Sequence, residues 1–560
     1  MREAMLRAVL MAAFSFLGVQ AQPADTVYLN GRLWTADAVR SWASALAIRE
    51  GRLVFVGEDE GARIFIGADT EVRDLGGRMV LPGFCDSHSH PVSSGIELGQ
   101  LNLSDAAGRR EIEDQITAYA AQHPELEWIV GGGWSLPAWP GGMPTRQELD
   151  ALVPDRPAYL TTSDAHTAWV NSKALAAAGV TRDTPDPPGG RIERDKGGWP
   201  NGLLRESAIS LVSAKLPPET PQSYREGALR GLQMAAGFGI TTIHEANATE
   251  EILQAYAGLQ DEGRLTARIV AALQTDPAAG TAQVEALKAR RERWTKSLLQ
   301  PRAAKIFADG VIESGTAALL EPYLGSAGDR GILNWSPEQL RSTVVALDAA
   351  GFQVHAHAIG DRGIREVLDA LQAAQRSNGR RDARHHLAHL QLIDPADLPR
   401  FRQLGALANV QPLWAYRDAF IRDLTEPVLG PERSSALYPL GSLHSSGAIL
   451  VAGSDWSVTS MNPLQAIEVA LTRQAPDANG GDPWLPEQRL DLPTILAAYT
   501  INGAYLSFLE KETGSLEAGK WADLVVLEKD LFEVAPDEIG EVKVLWTLLA
   551  GKTVHRAAGI

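Results

Sequence analysis

Phe352-Gln353-Val354-His355-Ala356-His357-Ala358 is an apolar strand candidate carrying two histidines, and a helical pattern over Arg362 to Ser377 follows it at once. The same pairing recurs on both sides of it. Arg268 to Leu273, Ala303 to Ala308, Arg384 to Leu390, Ala406 to Gln411 and Ile449 to Gly453 read as further strands, with helical stretches such as Pro337 to Ala350 between them. Strand–helix alternation over this length argues for a parallel sheet, open or closed into a barrel.

The two ends of the chain have another texture. Thr26 to Leu29, Ala45 to Arg49 and Arg52 to Gly57 are short apolar or alternating runs, punctuated by Gly31-Arg32 and Glu50-Gly51. Such runs between turn residues read as strands. Ala522 to Leu527 and Val542 to Thr547 repeat the pattern near the other end. One small β domain assembled from residues 22–80 and 510–560 is expected, flanking a long α/β unit over 81–509. Residues 100–225 break the rhythm. They are rich in Gly, Pro and Trp, as in Gly131-Gly132-Gly133-Trp134 and Trp139-Pro140-Gly141-Gly142. They are read as an inserted, lid-like subdomain. The first 21 residues have a basic start, an apolar run from Ala8 to Val19 and small residues at a cleavage position. That is the build of a secretory signal peptide, which implies a periplasmic or secreted protein.

Composition narrows the function. The chain has 560 residues, 45% hydrophobic and 22% charged, with a formal net charge of −17. Nucleic-acid binding needs clustered Lys and Arg, which this balance disfavours. After the leader, no apolar run is long and uncharged enough to span a bilayer. The single cysteine, Cys85, excludes an intrachain disulfide and a thiolate-rich zinc site. A metal site would have to be built from His and carboxylate. A small-molecule partner is expected, and homo-oligomerisation stays open.

His88-Ser89-His90 follows directly on a buried strand, inside Pro82-Gly83-Phe84-Cys85-Asp86-Ser87-His88-Ser89-His90-Pro91. Residues two apart in an extended segment point to one side, so both imidazoles can share one cation. Lys305, His355, His357, His389 and Asp455 each lie in apolar sequence near the end of a later strand candidate. An unpaired charge or imidazole is expensive there. If the sheet closes, these residues converge, because barrels gather their active groups at the C-terminal strand ends.

With Leu81-Pro82-Gly83-Phe84, Lys305-Ile306-Phe307-Ala308-Asp309-Gly310, His357-Ala358-Ile359-Gly360-Asp361 and Gly453-Ser454-Asp455-Trp456, the chain resembles the metal-dependent amidohydrolase superfamily. More specifically, it resembles the branch that includes N-substituted formamide deformylases. The resemblance implies a (β/α)8 TIM-like barrel with a β-sandwich domain beside it. It also implies that His88 and His90 bind a first metal, completed by Asp455. His357 and His389 would bind a second, and Lys305 would bridge the two as a carbamate. The expected cofactor is a divalent metal, two zinc ions. One departure is visible: Ala388 stands where the family usually has Glu.

The chemistry expected of such a site is hydrolysis of a C–N bond, amide-like, N-acyl or N-formyl. Bound Zn²⁺ lowers the pKa of water from about 15.7 to about 7, giving hydroxide at neutral pH. Asp455 is the candidate for moving the proton to the leaving nitrogen. His166, in the insertion, could hydrogen-bond the substrate carbonyl or its developing oxyanion. Trp134 is the candidate wall for an aromatic or acyl group, against the alternative that it packs the insert. Three rival readings remain: a cyclic amidine deaminase, a lactonase or esterase on the same fold, and a silent, metal-stabilised regulatory protein. Two plainer readings also stand, His355 as a core histidine and Lys305 as a buried partner of Asp309.

Overall fold

The structure is a computed structural model, and it describes residues 21–476 and 482–558. The leader read over residues 1–21 lies, but for its last residue, outside the described residues. Among the described residues the strands form four sheets.

The largest sheet has eight parallel strands: β1 (Phe84–Ser89), β2 (Ile240–Ala248), β3 (Arg268–Gln274), β4 (Leu299–Phe307), β5 (Gln353–Ala358), β6 (His386–His389), β7 (Leu407–Val410) and β8 (Leu450–Ala452). Each pairs with its sequence neighbour, from β1 to β8 in order. The ring is drawn closed by the segment after β8, where the Asp455 amide donates to the His88 carbonyl at 2.7 Å. This is the barrel that the alternation calls for. Its strands carry near-continuous apolar runs because both faces are covered. Ile269, Leu273, Ala304, Ile306, Val354 and Leu387 are all fully or almost fully buried in one continuous core.

Local chemistry sets the helix and strand limits. Helix Pro337–Ala349 starts with a capping box between Ser336 and Gln339 and with Pro at its first position. Two barrel strands differ from their sequence reading by two residues or more at one end. β4 begins at Leu299 rather than Ala303, because buried Leu299 and Pro301 alternate with half-buried Gln300 and Arg302. β6 is shorter than Arg384–Leu390, because both of those residues take left-handed backbone, at φ 50° and 51°.

The chain ends build two further sheets. One orders Arg52–Gly57, Ala45–Arg49, Thr26–Leu29 and Glu71–Asp74. The other orders Lys552–Arg556, Val544–Leu549, Leu524–Leu527, Met79–Pro82, Arg32–Trp34 and Trp42–Ala43. Tyr28, Leu46 and Leu53 from the first meet Leu33, Val80, Leu524 and Trp546 from the second in one core. Asp523 ties this layer to the barrel by accepting from Arg268, the first residue of β3, at 2.8 Å. The opposite, C-terminal end of the barrel is thereby left to other elements.

Between β1 and β2 the chain forms a six-stranded sheet that runs from Leu101–Asn102 through Ile129–Trp134, Ala158–Thr162, Thr167–Val170 and Pro200–Glu206 to Gly190–Arg194. It has its own cores, one around Trp134 and Trp169 and one around Val170 and Leu204. It reaches the barrel through Thr167, whose hydroxyl lies 3.3 Å from that of Ser314, and through Glu206, which accepts from the Thr316 hydroxyl at 2.7 Å. No helix of the described residues is long and apolar enough to cross a membrane.

Candidate metal centre

His88 and His90 stand at the C-terminal end of β1. Gly453, after β8, comes so close to this end that a Cβ there would sit 2.5 Å from the His88 amide nitrogen. Only glycine permits that approach. It brings Asp455 Oδ1 to 3.4 Å from His88 Nε2 and 3.3 Å from His90 Nε2. Potential ligand atoms of these three residues all lie within 4.8 Å of one another.

The other candidates close round the same point. Lys305 Nζ, on β4, is 3.3 Å from His88 Nε2. His389, at the end of β6, turns Nδ1 toward Asp455 Oδ2 at 3.8 Å, and its ring centre is 4.7 Å from that of His88. The His357 ring, on β5, is 4.5 Å from the His389 ring. Its Nε2 faces the Gly310 carbonyl at 3.3 Å, which leaves Nδ1 as the available nitrogen. Lys305 makes no ion pair with Asp309. That carboxylate instead accepts backbone hydrogen bonds from Ala318, Ile359 and Gly360.

The electrostatics suit a cation. Burial, with the Lys305 charge next, pushes His88 well below the usual histidine range. Burial likewise brings His389 down to about 3 and Lys305 down to about 7. Burial alone would raise Asp455, but the hydrogen bond and charge of His90 and the charge of His389 outweigh it and hold the carboxyl at about 2. Imidazoles held neutral and a carboxylate held ionised are the protonation states a metal requires. Among the described residues, His389 Nδ1 is buried without a hydrogen-bond partner. A buried polar atom left so is costly unless something else satisfies it. The orphaned nitrogen, the clustered ligand atoms and an all-N/O donor set fit a divalent cation such as zinc.

His166 joins this group from the insert. Its ring centre is 5.1 Å from that of His357, and its Nδ1 is 2.9 Å from Glu206 Oε2. Burial would lower its pKa, but the Glu206 charge and hydrogen bond lift it to about 9.

Trp134 does not join it. Expected as a substrate wall, it is fully buried in the core of the insert. Trp139 and Trp169 pack edge-on against it at 5.5 and 5.7 Å, and its indole N–H donates to the Leu160 carbonyl at 3.0 Å. Its two polar and apolar demands are met there, so nothing turns it outward. Trp134→Ala should therefore cost about 3–5 kcal/mol of stability in denaturant unfolding, with KM unchanged. A raised KM at full stability would restore its contact with substrate.

Two neighbours of the site, Glu245 and Trp414, were not singled out from the sequence. Glu245, on β2 in register with Ser89 of β1, is fully buried, with Oε1 3.8 Å from His90 Nδ1. The charge in Ile243-His244-Glu245 is as costly amid apolar residues as Lys305, and that cost is a legible signal. Trp414 lies parallel to the His389 ring, 5.2 Å away. His355 puts Nε2 2.8 Å from His88 Nδ1. His385 and His386, just before His389 on the chain, are both buried.

The sequence profile of the amidohydrolase family matches residues 71–555. Protein LONG AFTER FAR-RED 3 of Arabidopsis thaliana is 32% identical over 542 residues, which cover 95% of this chain and 92% of that protein. N-substituted formamide deformylase of Arthrobacter pascens is 27% identical over 549 residues, covering 96% of this chain and 99% of that protein. Among solved structures, an uncharacterized metal-dependent hydrolase from Pyrococcus horikoshii superposes with a TM-score of 0.72 at 24% identity, over 91% of this chain and 99% of that one.

Proposed function

This chain belongs to the amidohydrolase family, and from that premise we propose that it hydrolyses an N-acyl or N-formyl amine, in the periplasm or outside the cell. At the coarser level it is a hydrolase of carbon–nitrogen bonds other than peptide bonds. The observation that carries the reading is the convergence of His88, His90 and Asp455 from the two strands at which the barrel closes.

His88, His90 and Asp455 would hold one divalent ion, and His357 and His389 a second, with a carboxylated Lys305 between them. Zinc at such a site supplies Lewis acidity, which polarises a carbonyl oxygen and acidifies water near neutral pH. The chain's own side chains do the rest. Asp455, ionised and in contact with both β1 imidazoles, takes a proton from the attacking water. It then returns that proton to the departing nitrogen, without which an amine leaves poorly. His166 has Nδ1 committed to Glu206, so Nε2–H is the end that donates to the substrate carbonyl as negative charge grows on its oxygen. Deamination of a cyclic amidine is less favoured. Gly360 stands three residues past His357, and its amide is spent on Asp309.

The test is amine release from a panel of N-formyl, N-acetyl and N-acyl-amino-acid substrates, run beside a lactone and a cyclic amidine. Turnover of the acylated amines should vanish after chelator treatment and return on adding zinc. Turnover that survives complete metal removal, or is confined to the lactone or amidine, would overturn the proposal.

A further inference from the structure

His88 is almost wholly enclosed by protein, and its two ring nitrogens face different partners. Nε2 looks toward Asp455 Oδ1 and Lys305 Nζ, at 3.4 and 3.3 Å. Nδ1 looks down the barrel toward His355 Nε2, at 2.8 Å. Because His355 precedes His357 by two residues on β5, both point inward, with His355 one layer deeper. Strand register sets His355 beside Lys305 on β4 and His386 on β6. The His386 ring lies 4.0 Å from that of His355 at 41°, while the His88 ring crosses it at 4.6 Å and 81°.

A neutral imidazole carries one proton, and the nitrogen that binds a cation must be the other one. With its proton on Nε2, His88 would point a hydrogen at the place the metal would take. With its proton on Nδ1, it needs an acceptor in a pocket where it is itself 1% exposed. His355 Nε2 is at hydrogen-bond distance, and among the described residues no other side chain lies within hydrogen-bond reach of His88 Nδ1.

We propose that His355 is a positioning residue, whose Nε2 accepts the His88 Nδ1–H and so locks His88 in the tautomer that offers Nε2 to the metal. This rests on the metal reading above. The arrangement also fixes His355 itself, whose own proton must then sit on Nδ1. That atom, like His386 Nε2, is buried with no hydrogen-bond partner among the described residues. Orphaned imidazole nitrogens cost free energy. A fully apolar residue would fill this layer at less expense, so packing alone does not account for His355. His90, by contrast, has a carboxylate, Glu245, on the side of its Nδ1.

The experiment measures zinc affinity by competition with a chromophoric chelator, using the full chain stripped of metal. His355→Met keeps bulk and removes the acceptor, and should weaken binding about ten- to hundredfold, the usual effect of losing a partner of a ligating histidine. His355→Gln can present a side-chain oxygen at the position of Nε2, and should recover most of that loss. Histidine-selective nitrogen-15 spectra of the zinc-loaded wild type should find the His355 proton on Nδ1. This readout needs no variant and decides the matter if His355→Met does not fold. Wild-type affinity in His355→Met, equal weakening in both variants, or a proton on His355 Nε2 would each overturn the positioning role alone. A wild-type chain that takes up no zinc would bring down the metal reading and this inference with it.

Discussion

Asp455→Asn should reduce kcat/KM on an acylated amine by about 10³-fold or more, a loss of about 4 kcal/mol of transition-state stabilisation. Two roles fail together in that variant. The amide cannot accept and return a proton, a service worth about 10²- to 10⁴-fold by itself. It is also a poorer ligand than the carboxylate, which His90 and His389 now hold at about 2. The substitution is nearly isosteric, and the main-chain bond from Asp455 to the His88 carbonyl does not involve the side chain. Stability should therefore change much less than rate. The checks are steady-state kinetics beside thermal unfolding. A rate within tenfold of wild type, with the protein folded and loaded, would remove Asp455 from the chemistry.

The second large effect concerns Lys305. Its ammonium is buried among His88, Phe307 and the other imidazoles, with Nζ 4.6 Å from the Phe307 ring centre and no ion-paired carboxylate among the described residues. Burial first, opposed by the Asp455 and Glu245 charges, brings it to about 7. Burial thus favours the free amine over the ammonium, and only the free amine captures CO₂ to become an anionic, two-oxygen ligand. Lys305→Ala should lower the metal content per chain below that of the wild type, and reduce the rate about 10- to 100-fold. Elemental analysis and kinetics on one preparation measure both. Full metal content at an unchanged rate would exclude the bridge.

What the sequence discloses depends on how its residues are spaced. His88 and His90 can be read because two positions of one strand end carry them, and β-periodicity places both on one side. Lys305, His389 and Asp455 can be read because each interrupts an apolar run where an unpartnered polar group is costly. The same reasoning applies to Glu245, which interrupts the buried strand Ile240–Ala248. The partnership of His166 with Glu206 is different. His166 immediately precedes the strand Thr167–Val170 and Glu206 ends the strand Pro200–Glu206, 40 positions on, and only the antiparallel pairing of those two strands brings them together. Trp134 shows the reverse limit. Aromatic content marks a residue as worth burying without saying which core receives it, and the indole found Trp139, Trp169 and Leu160 inside the insert's own core. The division of labour between His355 and His357 follows from depth in the barrel, which a two-residue period cannot reveal.

The layer built from both chain ends has a consequence for biogenesis. Met79–Pro82 pairs with Leu524–Leu527, so one sheet is stitched from strands more than 440 positions apart. Contacts of such sequence separation form late, because the intervening loop must first be closed. While the chain is being synthesised, the Met79–Pro82 strand lacks that partner and presents open backbone groups, a template for pairing with foreign chains. A polypeptide that stops short of Leu524 keeps that edge of the strand unpaired.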